Sequence, residues 1–260
     1  GLAGGLEKWH KTIVAQLGGL TRLIRSPLTK LQRCIVTSLV TTDVHARDIV
    51  EELIQLKVHA THDFNWKKQL RYMWDVDLDD TLIQQSNVSI RYGYEYMGAC
   101  SRLVITPLTD RCWMTITGAF DLKLGASPSG PAGTGNEYLL LSLGKTETSK
   151  DLAKALAIQC IVFNCSDQID YKMMAKLFCG LSQCGCWTCL DEFNRIDIEV
   201  LSVIAQQLMI LRQGRLAGTT ELCFEGRTIL LQDHHVIVTM NPGYAGRTEL
   251  PDNLKVGPSL

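Results

Sequence analysis

Apolar residues recur at helical spacing through the first part of the chain, at Leu31, Cys34, Ile35 and Leu39 and again at Val44, Ile49, Val50, Leu53 and Leu56. Steps of three and four place such residues on one face of a helix. The pattern therefore predicts helices through residues 6–85, with Pro27 suiting a helix start and Asp43 able to cap the second helix. A third helix is predicted over residues 65–74, with Trp66, Leu70, Tyr72 and Met73 as its apolar anchors. From Val88 the texture changes to short β-like runs at residues 88–92 and 102–106, the second stopped by Pro107. Residues 110–120 then read as a helix, with Asp110 near its N-terminus, where the dipole favours a carboxylate. Beyond this point helices over residues 145–159, 170–181 and 198–212 alternate with largely apolar strands at 161–164, 186–192 and 235–240. Residues 222–231, around Glu225-Gly226, read as a hairpin. Strand and helix in alternation predict a parallel α/β sheet, and the change of texture sets a domain boundary near residues 85–95.

Composition narrows this picture. A chain of 260 residues with 46% apolar content buries a real core. Its 26 Lys and Arg against 27 Asp and Glu give a net charge of -1, with no electrostatic footprint for nucleic acid or anionic membrane. Any anion must be held by local geometry. No run reaches the roughly 18 apolar residues of a membrane span, and residues 1–10 lack a basic segment followed by an apolar one, so the chain reads as intracellular. The ten cysteines sit mostly in apolar runs, which suits reduced, buried thiols better than a disulfide framework. Cys184, Cys186 and Cys189 form one cluster worth weighing for zinc. Alternation along a strand would turn Cys186 and Cys189 apart, and no second Cys/His pair follows at ligand spacing. Asp75, Asp77, Asp79 and Asp80 lack the Gly and terminal Glu of a calcium loop and read as a solvated acidic turn. His234 and His235 read as structural.

The candidate chemistry is phosphate binding. Gly130, Gly133 and Gly135 allow backbone turns that aim successive N–H groups at one anion, and a helix beginning at Lys145 would add its own. The pattern G-x-x-x-x-G-K-[ST] requires Lys and Thr directly after the last glycine, but here residues 136–144 separate Gly135 from Lys145-Thr146. About 45 residues after Lys145 an apolar strand ends in Asp191-Glu192. In a nucleotide hydrolase of this class the first carboxylate serves the Mg²⁺ shell and the second polarises the attacking water. Asn241 follows the last apolar strand, where a polar side chain orients water beside a γ-phosphate or simply forms a turn before Pro242.

Together these segments resemble the first AAA+ module of a dynein heavy chain, preceded by the end of its linker. The resemblance is carried by residues 104–111, the glycines from Gly130 to Gly135, residues 145–148, residues 191–196, residues 224–227 and residues 241–251. It implies a P-loop AAA+ large subdomain with a parallel sheet over residues 89–255. An all-helical linker segment would occupy residues 1–88, and residues 256–260 would be a divergent tail. It further implies ATP and Mg²⁺ as cofactors, with Pro107 and Leu108 near the adenine and Gly130, Gly133, Thr134 and Gly135 around the phosphates. Lys145 would pair with the β and γ phosphates, with Glu147 beside it. Thr146 and Asp191 would organise Mg²⁺, Glu192 would be the general base and Asn241 the first sensor. The implied partners are the rest of the ring with its neighbouring module, intermediate and light chains, and microtubules. No nucleic acid or membrane is implied. The sequence is more similar to axonemal than to cytoplasmic dyneins, which implies the cytoskeleton of a cilium.

Two features depart from that family. Members carry the Lys directly after the third glycine and continue past residue 255 into a helical lid. If residues 138–143 extend the following helix backwards, Lys145 and Thr146 lie in a helix interior and the anion site vanishes, opposed by Gly144 at roughly 1 kcal/mol. If residues 136–144 loop out, at a closure cost that grows only logarithmically, the helix start survives but the row of adjacent N–H groups is broken. Either geometry predicts weak ATP binding and little hydrolysis. Misjoined transcript pieces would account for both departures.

Overall fold

Thr29 opens the longest helix of the chain. Its side-chain oxygen accepts from the Gln32 N–H while Gln32 returns a bond to the Thr29 N–H, a reciprocal cap that satisfies two donors at once. The structure, a computed structural model, describes residues 2–128 and 144–240. It divides into two units, Gly1–Met114 and Thr115–Leu260.

In the first unit, helix α1 (Leu2–Ile24) packs on α2 (Lys30–Gln55), with Leu6 and Ile13 buried against Val50, Leu53 and Val58. The helical N-terminal segment thus takes the form of two long helices. Asp43 lies inside α2 and caps nothing, because the predicted pair of helices is one. The predicted apolar face is used unevenly: Val50 and Leu53 are buried, whereas Leu31, Ile35, Leu39 and Leu56 are exposed. The helix predicted over residues 65–74 is corrected. Asp63 caps a single turn, α3 (Phe64–Lys67), and the chain then enters strand β1 (Arg71–Asp75). Strand β1 pairs antiparallel with β2 (Asp80–Gln85), and β2 with β3 (Val88–Arg91). The acidic cluster is the turn of the first hairpin, where Asp75 Oδ1 accepts from the N–H groups of Asp77 and Leu78 at 3.0 and 3.1 Å. Residues 102–106 form no strand, and helix α4 (Pro107–Asp121) follows them.

The second unit is built on three parallel strands, β4 (Cys160–Asn164), β5 (Trp187–Asp191) and β8 (His235–Val238), in the order β4-β5-β8. Ala126 adds a parallel bridge to Ile237, donating to Val236 O and accepting from Val238 N–H. Helix α5 (Lys145–Ala155) leads into β4, α6 (Tyr171–Cys184) joins β4 to β5, and α7 (Ile198–Leu216) follows β5. A hairpin of β6 (Glu221–Phe224) and β7 (Arg227–Leu230) turns at Glu225-Gly226, both at positive φ, as a two-residue loop of this twist requires. The core joins Met174, Phe178 and Leu181 of α6 to Leu201, Ile204 and Leu211 of α7 and to Leu190 and Val238 of the sheet. Strands covered on both faces read as unbroken apolar runs, which is how β5 and β8 appear in the sequence.

His235 and His234 are both structural. The His235 ring stacks on Phe120 with centroids 3.9 Å apart, and its Nδ1 lies 3.1 Å from Arg215 Nη2. Burial and then Arg215 hold its pKa well below the ordinary value, against the opposing pull of Asp233. Burial also lowers His234, whose Nδ1 lies 3.0 Å from Gln232 O. Groups that stay neutral in the fold take up protons only on unfolding once the pH falls below about 6.5. Stability is therefore full above that pH and falls below it, by up to about 1.4 kcal/mol per pH unit for each ring. We expect the urea midpoint of the chain to drop between pH 7.5 and 5.5, and His235→Gln to flatten the slope. An unchanged midpoint would contradict this account.

Candidate functional site

The C-terminal ends of parallel strands are where α/β sheets place ligands, and four of the chain's polar residues converge there. Asp191 ends β5. The Thr146 hydroxyl, in the first turn of α5, donates to Asp191 Oδ1 at 2.7 Å across 45 positions of sequence. The Thr239 hydroxyl, one residue past β8, donates to the same oxygen. The register that pairs Leu190 with Val238 brings Thr239 beside Asp191. Thr239 also accepts from the Glu192 N–H at 3.2 Å, and its carbonyl accepts from Phe193 N–H. One buried hydroxyl thus touches both residues of the acidic pair.

Glu192 itself sits at φ 54, ψ 43, a left-handed conformation that costs a non-glycine residue of order 1 kcal/mol and clusters at functional sites. The bend turns the chain out of the strand and into a short 3₁₀ turn (Phe193–Arg195). The carboxylate then meets Arg195 Nε at 2.5 Å.

Helix α5 fixes where Lys145 and Thr146 sit. It begins at Lys145, with Gly144 as its N-cap at ψ 128 and Thr148 N–H bonding back to Gly144 O at 3.0 Å. The helix is not extended backwards through Gly144. Lys145 and Thr146 occupy the first turn, at the end whose N–H groups and dipole attract anions. Lys145 reaches across to the Met240 carbonyl, Nζ to O 2.6 Å. Glu147 pairs with Lys150 at 2.5 Å in the same turn.

Of the residues named from sequence, the structure brings together Lys145, Thr146, Asp191 and Glu192. Pro107 and Leu108 open α4 in the first unit, with Leu108 exposed. Gly130, Gly133, Thr134, Gly135 and Asn241 lie outside the described residues, as do residues 136–143 and the tail 256–260. Thr239 lies outside every motif, and Arg195 stands within the motif of residues 191–196 with no role of its own read from it. The oxygen-only set of Thr146 and Asp191 suits a hard divalent cation. Among the described residues no three His, Cys, Asp or Glu side chains converge as a metal site, and no helix is long and apolar enough to cross a membrane.

Comparison with known proteins agrees with this geometry. Residues 92–257 match the family described as the hydrolytic ATP binding site of the dynein motor region. The chain is 57% identical over 251 residues to human dynein axonemal heavy chain 6, covering 96% of this chain and 6% of that protein. It is 54% identical over 255 residues to mouse dynein axonemal heavy chain 1, covering 97% and 6%. It is 51% identical over 253 residues to mouse dynein axonemal heavy chain 12, covering 97% and 8%. The chain thus spans less than a tenth of the length of these relatives. By the strand-end carboxylates, the helix starting at Lys145 and these matches, the chain belongs to the dynein heavy chains and carries their AAA+ ATP-binding region.

Proposed function

We propose that this chain is the ATP-hydrolysing module of an ATP-driven, minus-end-directed microtubule motor, with residues 1–88, two long helices leading into the β1-β2-β3 sheet, as the end of the linker that its ATP cycle moves. The observation that carries the reading is the 2.7 Å contact between the Thr146 hydroxyl and Asp191. It joins the start of the phosphate helix to the end of the acidic strand. In a heavy chain of this kind the remaining ring, its neighbouring module, intermediate and light chains and microtubules are the partners. The names of the relatives point to the axoneme of a cilium.

Lys145 rests on a neutral carbonyl, and a triphosphate is a stronger acceptor because a charge-assisted bond is roughly twice as strong as a neutral one. Its side chain therefore exchanges Met240 for the β and γ phosphates. Thr146 and Asp191 would hold Mg²⁺, which would supply neutralisation of phosphate charge. Glu192 takes the proton of the attacking water once its carboxylate leaves Arg195. By the family resemblance, Asn241 would orient that water and Gly130, Gly133, Thr134 and Gly135 would serve the phosphates, while Glu147 lies in the first turn of α5.

The interruption by residues 136–144 weakens this site without erasing it. Losing one or two N–H bonds to a charged phosphate costs about 1.5–3 kcal/mol each, roughly ten- to hundredfold in affinity. Isothermal titration with Mg-ATP is expected to show at least tenfold tighter binding in a variant lacking residues 136–144. Equal affinities would overturn the role given to the insertion, and no binding by either chain would overturn the site. A nucleotide-dead variant of the same fold is the competing reading, carried by the same interruption. Nucleotide retained in the purified chain would exclude it.

A further inference from the structure

At the end of β5 opposite Asp191, helix α6 finishes in Cys184-Gly185-Cys186. Gly185 adopts φ 68, ψ 21 and closes the helix through its N–H to Leu181 O. A Cβ at this position would lie 3.1 Å from Gln232 Cβ, so both the left-handed turn and the neighbouring chain demand glycine. The turn brings the two flanking sulfurs to 3.0 Å from one another. Cys184 is exposed and Cys186 is buried, at 5% exposure.

We propose that Cys184 and Cys186 are an oxidisable dithiol, converted to an intramolecular disulfide by a hydroperoxide. The sulfurs need to close by only about 1 Å to reach bonding distance. Roles follow from exposure. Burial, and next the hydrogen bond with Cys184, push the Cys186 thiol up to about 12, so Cys186 stays protonated and sheltered while Cys184 meets the oxidant. Cys184 gives up its proton to water and attacks one peroxide oxygen. The O–O bond breaks, hydroxide leaves, and Cys184 becomes a sulfenic acid. The Cys186 sulfur then attacks the Cys184 sulfur. The S–O bond breaks, and the departing hydroxide takes the Cys186 proton as water. Two thiols and one hydrogen peroxide yield one disulfide and two waters, with two electrons passing from the sulfurs to the peroxide oxygens. The other cysteines of this strand and its neighbour do not compete. Cys189 is fully buried, and burial raises the thiols of Cys160 and Cys165. The product staples the end of α6 to the start of β5.

The test treats the intact chain with equimolar hydrogen peroxide, unfolds it in N-ethylmaleimide and measures the tryptic peptide of residues 177–195, which holds Cys179, Cys184, Cys186 and Cys189. The expected peptide has lost two hydrogens and carries label only on Cys179 and Cys189, and dithiothreitol restores labelling of all four. The exposed substitution Cys184→Ser should leave Cys186 fully labelled after peroxide, while Cys179→Ser should leave the disulfide intact. Retention of all four labels, sulfinic acid on Cys184, or a bond from Cys184 to Cys179 or Cys223 would each overturn the proposal.

Discussion

Trp187→Ala lowers the unfolding free energy of the C-terminal unit by about 3–5 kcal/mol in urea denaturation, the cost of emptying a large aromatic site in a packed core. Trp187 is 1% exposed on the middle strand of the sheet. Its ring meets the edge of Phe120 at 4.8 Å and of His235 at 5.8 Å, while Phe120 and His235 stack on each other. The three rings form one assembly, so the alanine variant loses apolar burial, two edge-to-face contacts and the support that keeps His235 dry. Each such aromatic pair adds roughly 0.5–1.5 kcal/mol beyond burial. Trp187→Phe keeps most of the contact area and is expected to lose less than half as much. A drop below about 1 kcal/mol for the alanine variant would show that the rings do not act as a unit. Because Trp187 and Asp191 are the two ends of the same strand, the loss should reach the site as well.

The second unit was largely legible because its parallel strands are buried on both faces and their sequence is correspondingly unbroken. Residues 186–190 and 235–240 required no partner to be recognised. The first unit shows the opposite case. Trp66, Leu70, Tyr72 and Met73 satisfy helical spacing, yet Arg71, Tyr72, Met73 and Trp74 pair with Gln84, Ile83, Leu82 and Thr81. That pairing is non-local and leaves no trace in a window confined to residues 65–74. The available signal was the run of aspartates from 75 to 80, which is turn chemistry and marks a hairpin. Similarly, an apolar stripe from Leu31 to Leu39 says that a face exists, but not that α1 covers only its continuation.

At the site, motif spacing found Lys145, Thr146, Asp191 and Glu192 because phosphate chemistry constrains residue type and order. It passed over Thr239, which in sequence is one more β-branched residue closing an apolar run. Its importance is a matter of register: pairing Trp187 with His235 fixes which residue past β8 lies beside Asp191, and no single-strand pattern carries that information. Arg195 lies within the motif of residues 191–196 but carries no signal of its own, since a cation three residues after a carboxylate is common on any helical turn.

Thr239→Val, made in a chain lacking residues 136–144, is expected to lower affinity for Mg-ATP by roughly 10- to 100-fold, the usual effect of removing a group that orients a metal-binding carboxylate. The substitution keeps the volume and the β-branch of a side chain that is 3% exposed, but removes both hydrogen bonds. Asp191 Oδ1 loses one of its two hydroxyl donors, and the Glu192 N–H loses its acceptor at a backbone position already strained. An unsatisfied buried amide costs about 1–3 kcal/mol, which relaxing Glu192 out of its left-handed conformation would partly offset. Both carboxylates then drift from the places the hydroxyl held them. Thr239→Ser restores the hydroxyl and should bind within about threefold of the parent, allowing for one lost methyl. The discriminating measurement is titration with ATP in the presence and absence of Mg²⁺. A positioning role concentrates the loss in the Mg²⁺-dependent part, whereas a packing defect reduces both equally. Equal loss in the two titrations, or failure of the serine variant to recover, would remove Thr239 from the site and leave it a residue of the core.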